Sequence, residues 1–192
     1  MTHIILASNS PRRKELLDQI GVQYQVYPVD LDETPLTGEA PLNYVERIAA
    51  EKSALAQSRI QTNVPILAAD TSVVLEGRIF GKPEYQAEAV EMLQQLSGKT
   101  HQVYSALSLR IMDQHWQALS ITEVTFRSLS RKEIETYWHT GEPHDKAGGY
   151  AIQGLASIFV TAINGSYSGV MGLPLFETAQ LLENIGIQII HD

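Results

Sequence analysis

Apolar and polar positions along this chain change period repeatedly, and each change predicts an element. Ile4-Ile5-Leu6 is a short apolar run that reads as a buried strand, followed by the polar turn Ala7-Ser8-Asn9-Ser10. Ser10 is placed as a helix N-cap with Pro11 at the first helical position, and Gly21 as the residue that closes that helix. Gln23 to Tyr27 alternates as a strand does, and Asp30-Leu31-Asp32-Glu33-Thr34-Pro35 is an acidic loop. From Pro41 to about Arg59, Leu42, Val45, Ile48, Ala49 and Leu55 recur at helical spacing on a long amphipathic helix that carries Lys52. Pro65 to Ala69 predicts a second buried strand running into Asp70-Thr71 and then Ser72 to Leu75. Glu76-Gly77 follows as a hairpin turn, leading into Arg78 to Pro83.

The second half continues in the same way. Gln86 to Leu96 is helical and Gly98 ends it, while His101 to Met112 and Trp116 to Phe126 read as a long antiparallel hairpin joined at Asp113-Gln114. Ser130-Arg131-Lys132-Glu133 is a capping box opening a helix to about His139. A glycine-bearing loop from Asp145 to Tyr150, a strand near Ile158 to Ile163, a turn at Asn164-Gly165 and a helix from about Pro174 to Asn184 complete the chain. Strands and helices alternate without strict βαβ units, so the expected class is α/β, a mixed twisted sheet with helices packed on it. With no linker-like or repeated segment, residues 1–192 are expected to form a single domain.

Composition narrows the chemistry. The chain has no cysteine, which removes disulfides, thiolate catalysis and cysteine zinc sites. A net charge of −8 argues against non-specific binding to nucleic acid or an acidic membrane. No signal-like segment opens the chain and no apolar run approaches a membrane span, so a cytoplasmic location is expected. The charge is uneven, however. No acidic residue precedes Glu15, while Arg12, Arg13 and Lys14 sit together at the predicted helix start. Cations are disfavoured at that positive end of the helix dipole, and a bound phosphate would remove the penalty. Two solvated arginines are the alternative.

Asp70 is the first catalytic candidate, because a carboxylate at the end of an apolar strand is where α/β proteins place functional groups. An Asx-turn is the competing reading. Asp32 and Glu33 form a second acidic point, and carboxylates from distant loops suit a hard cation bridging phosphates. Lys52, and Lys82 in Gly81-Lys82-Pro83, add positive charge, and Gly148-Gly149 permits close backbone approach to a ligand. The scattered histidines lack zinc-site spacing, and Ser10 and Ser166 lack a nucleophile-elbow setting. Neither a P-loop nor a dinucleotide fingerprint is present.

In order along the chain, Ala7-Ser8-Asn9-Ser10-Pro11-Arg12-Arg13, Asp32-Glu33, Glu51-Lys52, Ala69-Asp70-Thr71, Gly81-Lys82-Pro83 and Leu96-Ser97-Gly98 form a distinctive set. It continues through Asp145-Lys146-Ala147-Gly148, Gln153-Gly154, Asn164-Gly165-Ser166-Tyr167 and Gly172-Leu173-Pro174. This set resembles the Maf family of nucleoside triphosphate pyrophosphatases over essentially the whole chain, with Ala68 and Gly149 as small departures. The resemblance implies two lobes around a cleft, a fold similar to inosine triphosphate pyrophosphatases, and a divalent cation, Mg²⁺ or Mn²⁺. It implies Asp70 as general base, with Ser8, Arg12, Arg13, Lys52 and Lys82 handling phosphate, and Glu33 and Asp70 handling metal. Arg12, Thr71 and Gln153 resemble the dTTP/UTP-preferring branch, whereas a branch preferring 7-methyl-GTP shows Trp, Gln and Glu there. Neutral Gln153 offers a donor and an acceptor that match the N3–H and O4 edge of uracil or thymine. The expected activity is therefore hydrolysis of dTTP and UTP, with modified pyrimidine nucleotides as further substrates, to monophosphate and pyrophosphate. The rivals are a broader house-cleaning pyrophosphatase for non-standard nucleotides and a nucleotide-binding regulator of cell division with little turnover. The long hairpin also leaves sheet edges that a homodimer could cover.

Overall fold

A computed structural model describes residues 3–190. Its centre is one seven-stranded mixed sheet in the order β2-β1-β3-β5-β6-β7, with β4 paired to β3. The strands are β1 (Ile4–Leu6), β2 (Tyr24–Val26), β3 (Ile66–Leu75), β4 (Arg78–Phe80), β5 (Thr100–Ile111), β6 (Gln114–Phe126) and β7 (Val160–Asn164). The helices are α1 (Pro11–Gln19), α2 (Pro41–Ile60), α3 (Gln86–Leu96), α4 (Arg131–Trp138), α5 (Tyr167–Met171) and α6 (Leu175–Glu183).

Alternation along β3 sorts its side chains onto two faces. Ile66 and Ala68 pack with Ala56 of α2, and Ala106 of β5 packs with Val45, Ile48 and Ala49 of the same helix. One face is thus covered by a single long helix. On the other face Leu67 and Ala69 join Leu16 and Leu17 of α1 and Leu181 and Leu182 of α6. Further along that face, Val73 and Leu75 join a separate cluster with Val90, Leu93 and Leu96 of α3 and Ile134 and Tyr137 of α4. Two cores on one face of one sheet make two lobes.

The crevice between the lobes follows from the pairing of β3. Its β5 edge is paired continuously from Ile66 to Val74. Its other edge is shared by two short strands, β1 opposite Ile66 and Leu67 and β4 opposite Val73 to Leu75. Among the described residues, positions 68–72 have no strand partner on that edge, and Asp70 lies in the middle of this gap.

The structure corrects several expectations. Asp70 does not follow a strand that has ended; it is internal to ten-residue β3, and the Asx-turn reading fails with it. Strict βαβ units were not expected, yet β1 pairs in parallel with both β2 and β3. The pattern of apolar residues alone does not encode strand direction. The long hairpin turns at Met112-Asp113 rather than Asp113-Gln114, with Ile111 opposite Gln114 and Met112 at φ 49°. Residues Leu155–Phe159 form a 3₁₀ segment and the following strand begins only at Val160. The capping box is present at α4, where Ser130 Oγ accepts from Glu133 N at 3.3 Å. Ser130→Ala is expected to lower stability by about 1 kcal/mol, read as a shift in the urea midpoint at unchanged slope.

Candidate active site

The floor of the crevice is set by α2 lying under the even-numbered face of β3. Lys52 on α2 points at Asp70, with Nζ 2.9 Å from Asp70 Oδ1 and 2.7 Å from Glu33 Oε1. Lys52 is 9% exposed and Asp70 6%. A carboxylate inside a strand and out of water needs a charged partner, and Lys52 is that partner. The Glu33 loop is tied to the same helix. Tyr44 Oη donates to the Glu33 carbonyl at 2.9 Å, and Arg47 forks onto both Glu39 oxygens at 2.6 and 2.8 Å while also reaching Glu51. Burial, and then the nearby Asp70 and Glu33 charges, push the Tyr44 hydroxyl up to about 12.

The arginines enter from the other face. Arg13 Nε donates to the Gly172 carbonyl at 2.8 Å and Nη1 to Ser8 Oγ at 3.1 Å, while Arg12 Nε donates to the Met171 carbonyl at 3.1 Å. Short helix α5 therefore presents its carbonyl end to both guanidinium groups, the favourable end for a cation. Gly172, at φ 118°, makes the turn out of α5 in a conformation that side chains rarely adopt. Burial lowers the pKa of both arginines, and the Asp70 and Glu33 charges oppose that shift at Arg13. Ser10 is the N-cap residue of α1 as expected, but its side chain makes no cap; Ser8 Oγ instead accepts from Ser10 N at 3.2 Å.

The second lobe supplies the facing wall. Gly148 N donates to the Gly81 carbonyl at 2.9 Å, which fixes the Lys82 segment against the Asp145–Tyr150 loop. Gly148 has φ 68°, and a Cβ there would stand 3.0 Å from both Val73 methyl carbons. Gly148→Ala should therefore displace the loop and weaken ligand binding, checked by calorimetric titration with a triphosphate analogue. Lys146 emerges from this loop as a cation that pattern reading passed over. Its pKa is lowered first by burial and then by Arg12, with Lys82 adding to the shift. The Asp145-Lys146 pair was legible as a motif, but only the folded chain brings Lys146 toward Arg12. Beyond it, Glu142 accepts from the Leu155 and Ala156 amides at 2.8 and 3.1 Å, holding the turn that follows Gln153.

Under this wall lies a buried pair, His101 Nε2 and Tyr150 Oη, 2.7 Å apart. Burial holds the His101 imidazole down at about 4. The unfolded chain takes up a proton near pH 6.5 and the native state resists it, so this stability is present above about pH 6.5 and lost as pH falls toward 4. His101→Gln is expected to flatten the pH dependence of the urea midpoint across that window.

Ser8, Arg12, Arg13, Glu33, Lys52, Asp70, Thr71, Lys82 and Gln153 all line one cleft of about 820 Å³. That volume suits a small molecule, and the lining suits a polyanion. Asp32 is the exception. It is exposed, and its Oδ1 accepts from Thr34 N at 2.9 Å in a local turn. Among the described residues no three His, Asp or Glu side chains gather as a self-sufficient metal cage. No helix among them is long and apolar enough to cross a membrane.

Fold and cleft together define a two-lobed α/β protein whose cleft gathers cations and carboxylates at the open edge of its central strand. The profile of the family described as Maf-like protein matches residues 3–185, and the chain belongs to that family. It is 55% identical to the dTTP/UTP pyrophosphatase of Methylococcus capsulatus, covering 96% of this chain and 91% of that one. It is 52% identical to the dTTP/UTP pyrophosphatase of Nitrosomonas europaea, covering 97% and 96%. Among solved structures, the Staphylococcus aureus Ham1 protein overlaps 64% of this chain and 71% of that one, at 20% identity and a TM-score of 0.47.

Proposed function

We propose that this protein hydrolyses dTTP and UTP to the nucleoside monophosphate and pyrophosphate. One observation carries the reading: Arg12 and Arg13 from one lobe, Lys82 and Lys146 from the other, and the Asp70–Lys52–Glu33 cluster on the floor all face the same cleft. The names of the relatives at 55% and 52% identity supply the substrate class.

In this reading the cations bind the triphosphate tail and hold its α-phosphorus over Asp70. A water oxygen bonds to that phosphorus as the bond to the bridging α–β oxygen breaks, and pyrophosphate leaves. Asp70 takes the proton of the attacking water. Arg12, Arg13, Lys82 and Lys146 neutralise charge that builds on the equatorial and leaving oxygens. Lys52, 2.9 Å from Asp70 Oδ1, holds the carboxylate in its orientation. Thr71 and Gln153 read the base edge.

The donor set also fits a hard divalent cation. Lys52 Nζ bridges Glu33 and Asp70 at 2.7 and 2.9 Å, which places the two carboxylates side by side at the cleft, and two carboxylates plus phosphate oxygens are the ligands Mg²⁺ favours over a closed protein cage. Glu33 and Asp70 would hold it, and when bound it supplies charge neutralisation at the phosphates.

The test is pyrophosphate release across a panel of canonical and modified triphosphates, with and without Mg²⁺ or Mn²⁺. The expected result is fastest turnover of dTTP and UTP. Guanine or inosine triphosphates turned over much faster would overturn the assignment, and binding without release would favour a regulatory role.

A further inference from the structure

A short chain of hydroxyl groups runs from the cleft into the lobe that holds the arginines. Thr71 of β3 stands directly opposite Ser105 of β5, and their Oγ atoms are 3.0 Å apart. Ser105 is 1% exposed, and its Oγ lies 2.6 Å from the Gly169 carbonyl oxygen in α5. That carbonyl also accepts from Gly172 N at 3.0 Å.

The direction of each hydrogen bond in this chain follows from chemistry. A carbonyl oxygen only accepts, so the single Ser105 proton is committed to Gly169. Toward Thr71, Ser105 can then only accept, and the single Thr71 proton is committed to Ser105. What Thr71 Oγ1 has left for the cleft is lone pairs alone. We propose that Ser105 is a positioning residue for base selection, which turns the Thr71 hydroxyl into an acceptor-only contact. Such a contact suits a base that brings a ring N–H to it and opposes one that brings a bare ring nitrogen. Uracil and thymine carry hydrogen on N3; cytosine carries a lone pair there. This inference rests on the pyrimidine triphosphate reading above and requires that site to prefer UTP over CTP.

The same connection sets where the base edge lies relative to the phosphate grip. Gly169 belongs to the segment whose Met171 and Gly172 carbonyls hold Arg12 and Arg13. Ser105 thus registers Thr71 against the two guanidinium groups as well as fixing its proton.

The experiment compares kcat/KM for UTP and CTP in wild type, Ser105→Ala and Ser105→Thr. In Ser105→Ala the Thr71 proton is released and can be donated to cytosine N3, so the UTP-to-CTP preference is expected to fall about ten-fold. Ser105→Thr keeps the hydroxyl and should restore the preference. Should the alanine variant not fold, Ser105→Val, which fills the site and carries no hydrogen-bonding group, should shift the ratio in the same direction. An unchanged ratio in a folded Ser105→Ala or Ser105→Val variant, with activity on both nucleotides reduced alike, would mean Ser105 only packs, and would overturn the proposal. Wild-type protein that turns over neither nucleotide would sink the pyrimidine reading itself, a result distinguishable because it precedes any variant.

Discussion

Asp70→Asn is expected to lower kcat on UTP or dTTP by about two orders of magnitude or more, with nucleotide affinity retained. Asparagine occupies the same space in β3 and keeps an oxygen for Lys52, so the fold and the cationic walls remain. It cannot take a proton from water. Arg12 and Arg13 are anchored by the Met171 and Gly172 carbonyls rather than by Asp70, so binding of a non-hydrolysable triphosphate analogue should persist in calorimetric titration. Near wild-type turnover in this variant would remove Asp70 from the chemistry.

The second large effect is at Lys52, which joins the stability of the crevice to its chemistry. Lys52→Met leaves Asp70 buried without its counter-charge and releases Glu33 from its partner. Breaking a buried pair from one side costs about 3–5 kcal/mol, because the remaining charge stays uncompensated. Turnover should fall by about two orders of magnitude as well, since the carboxylate loses its orientation. The double variant Lys52→Met/Asp70→Asn is the informative control. Removing the stranded charge should recover most of the lost stability in urea while activity stays absent. If the double variant were no more stable than Lys52→Met alone, the Lys52–Asp70 pair would not be the source of the loss.

Much of this architecture was legible from local pattern because the relevant forces are local. The Pro41 start and helical spacing of α2, the Ser130 capping box, the Glu76-Gly77 turn and the Ser10-Pro11 start of α1 each depend on neighbours a few residues away. Asp70 also stood out, since an acidic residue amid an apolar run demands compensation. Where its partner lay could not be read, because Lys52 is separated by 18 positions and meets it only through packing of α2 on β3. Helix α5 was missed for a different reason. Five residues hold too little periodicity to register, and the helix is sustained by a Ser166 side-chain cap and by the sheet beneath it. Lys146 was overlooked because nothing in its neighbours reveals that burial and Arg12 surround it.

The amino-acid order by itself determined the element types, the polar residues available for chemistry and, through the ordered motifs, the family. These rest on short-range propensity, on capping and on residue identity, which need no knowledge of the partner surface. Only the tertiary structure decided that β1 and β4 share one edge of β3 and leave 68–72 open between them. Strand direction and edge sharing are settled by which faces bury together, a long-range competition with no local signature. That open edge is what lets Asp70 and Thr71, on opposite faces of one strand, line the same cleft.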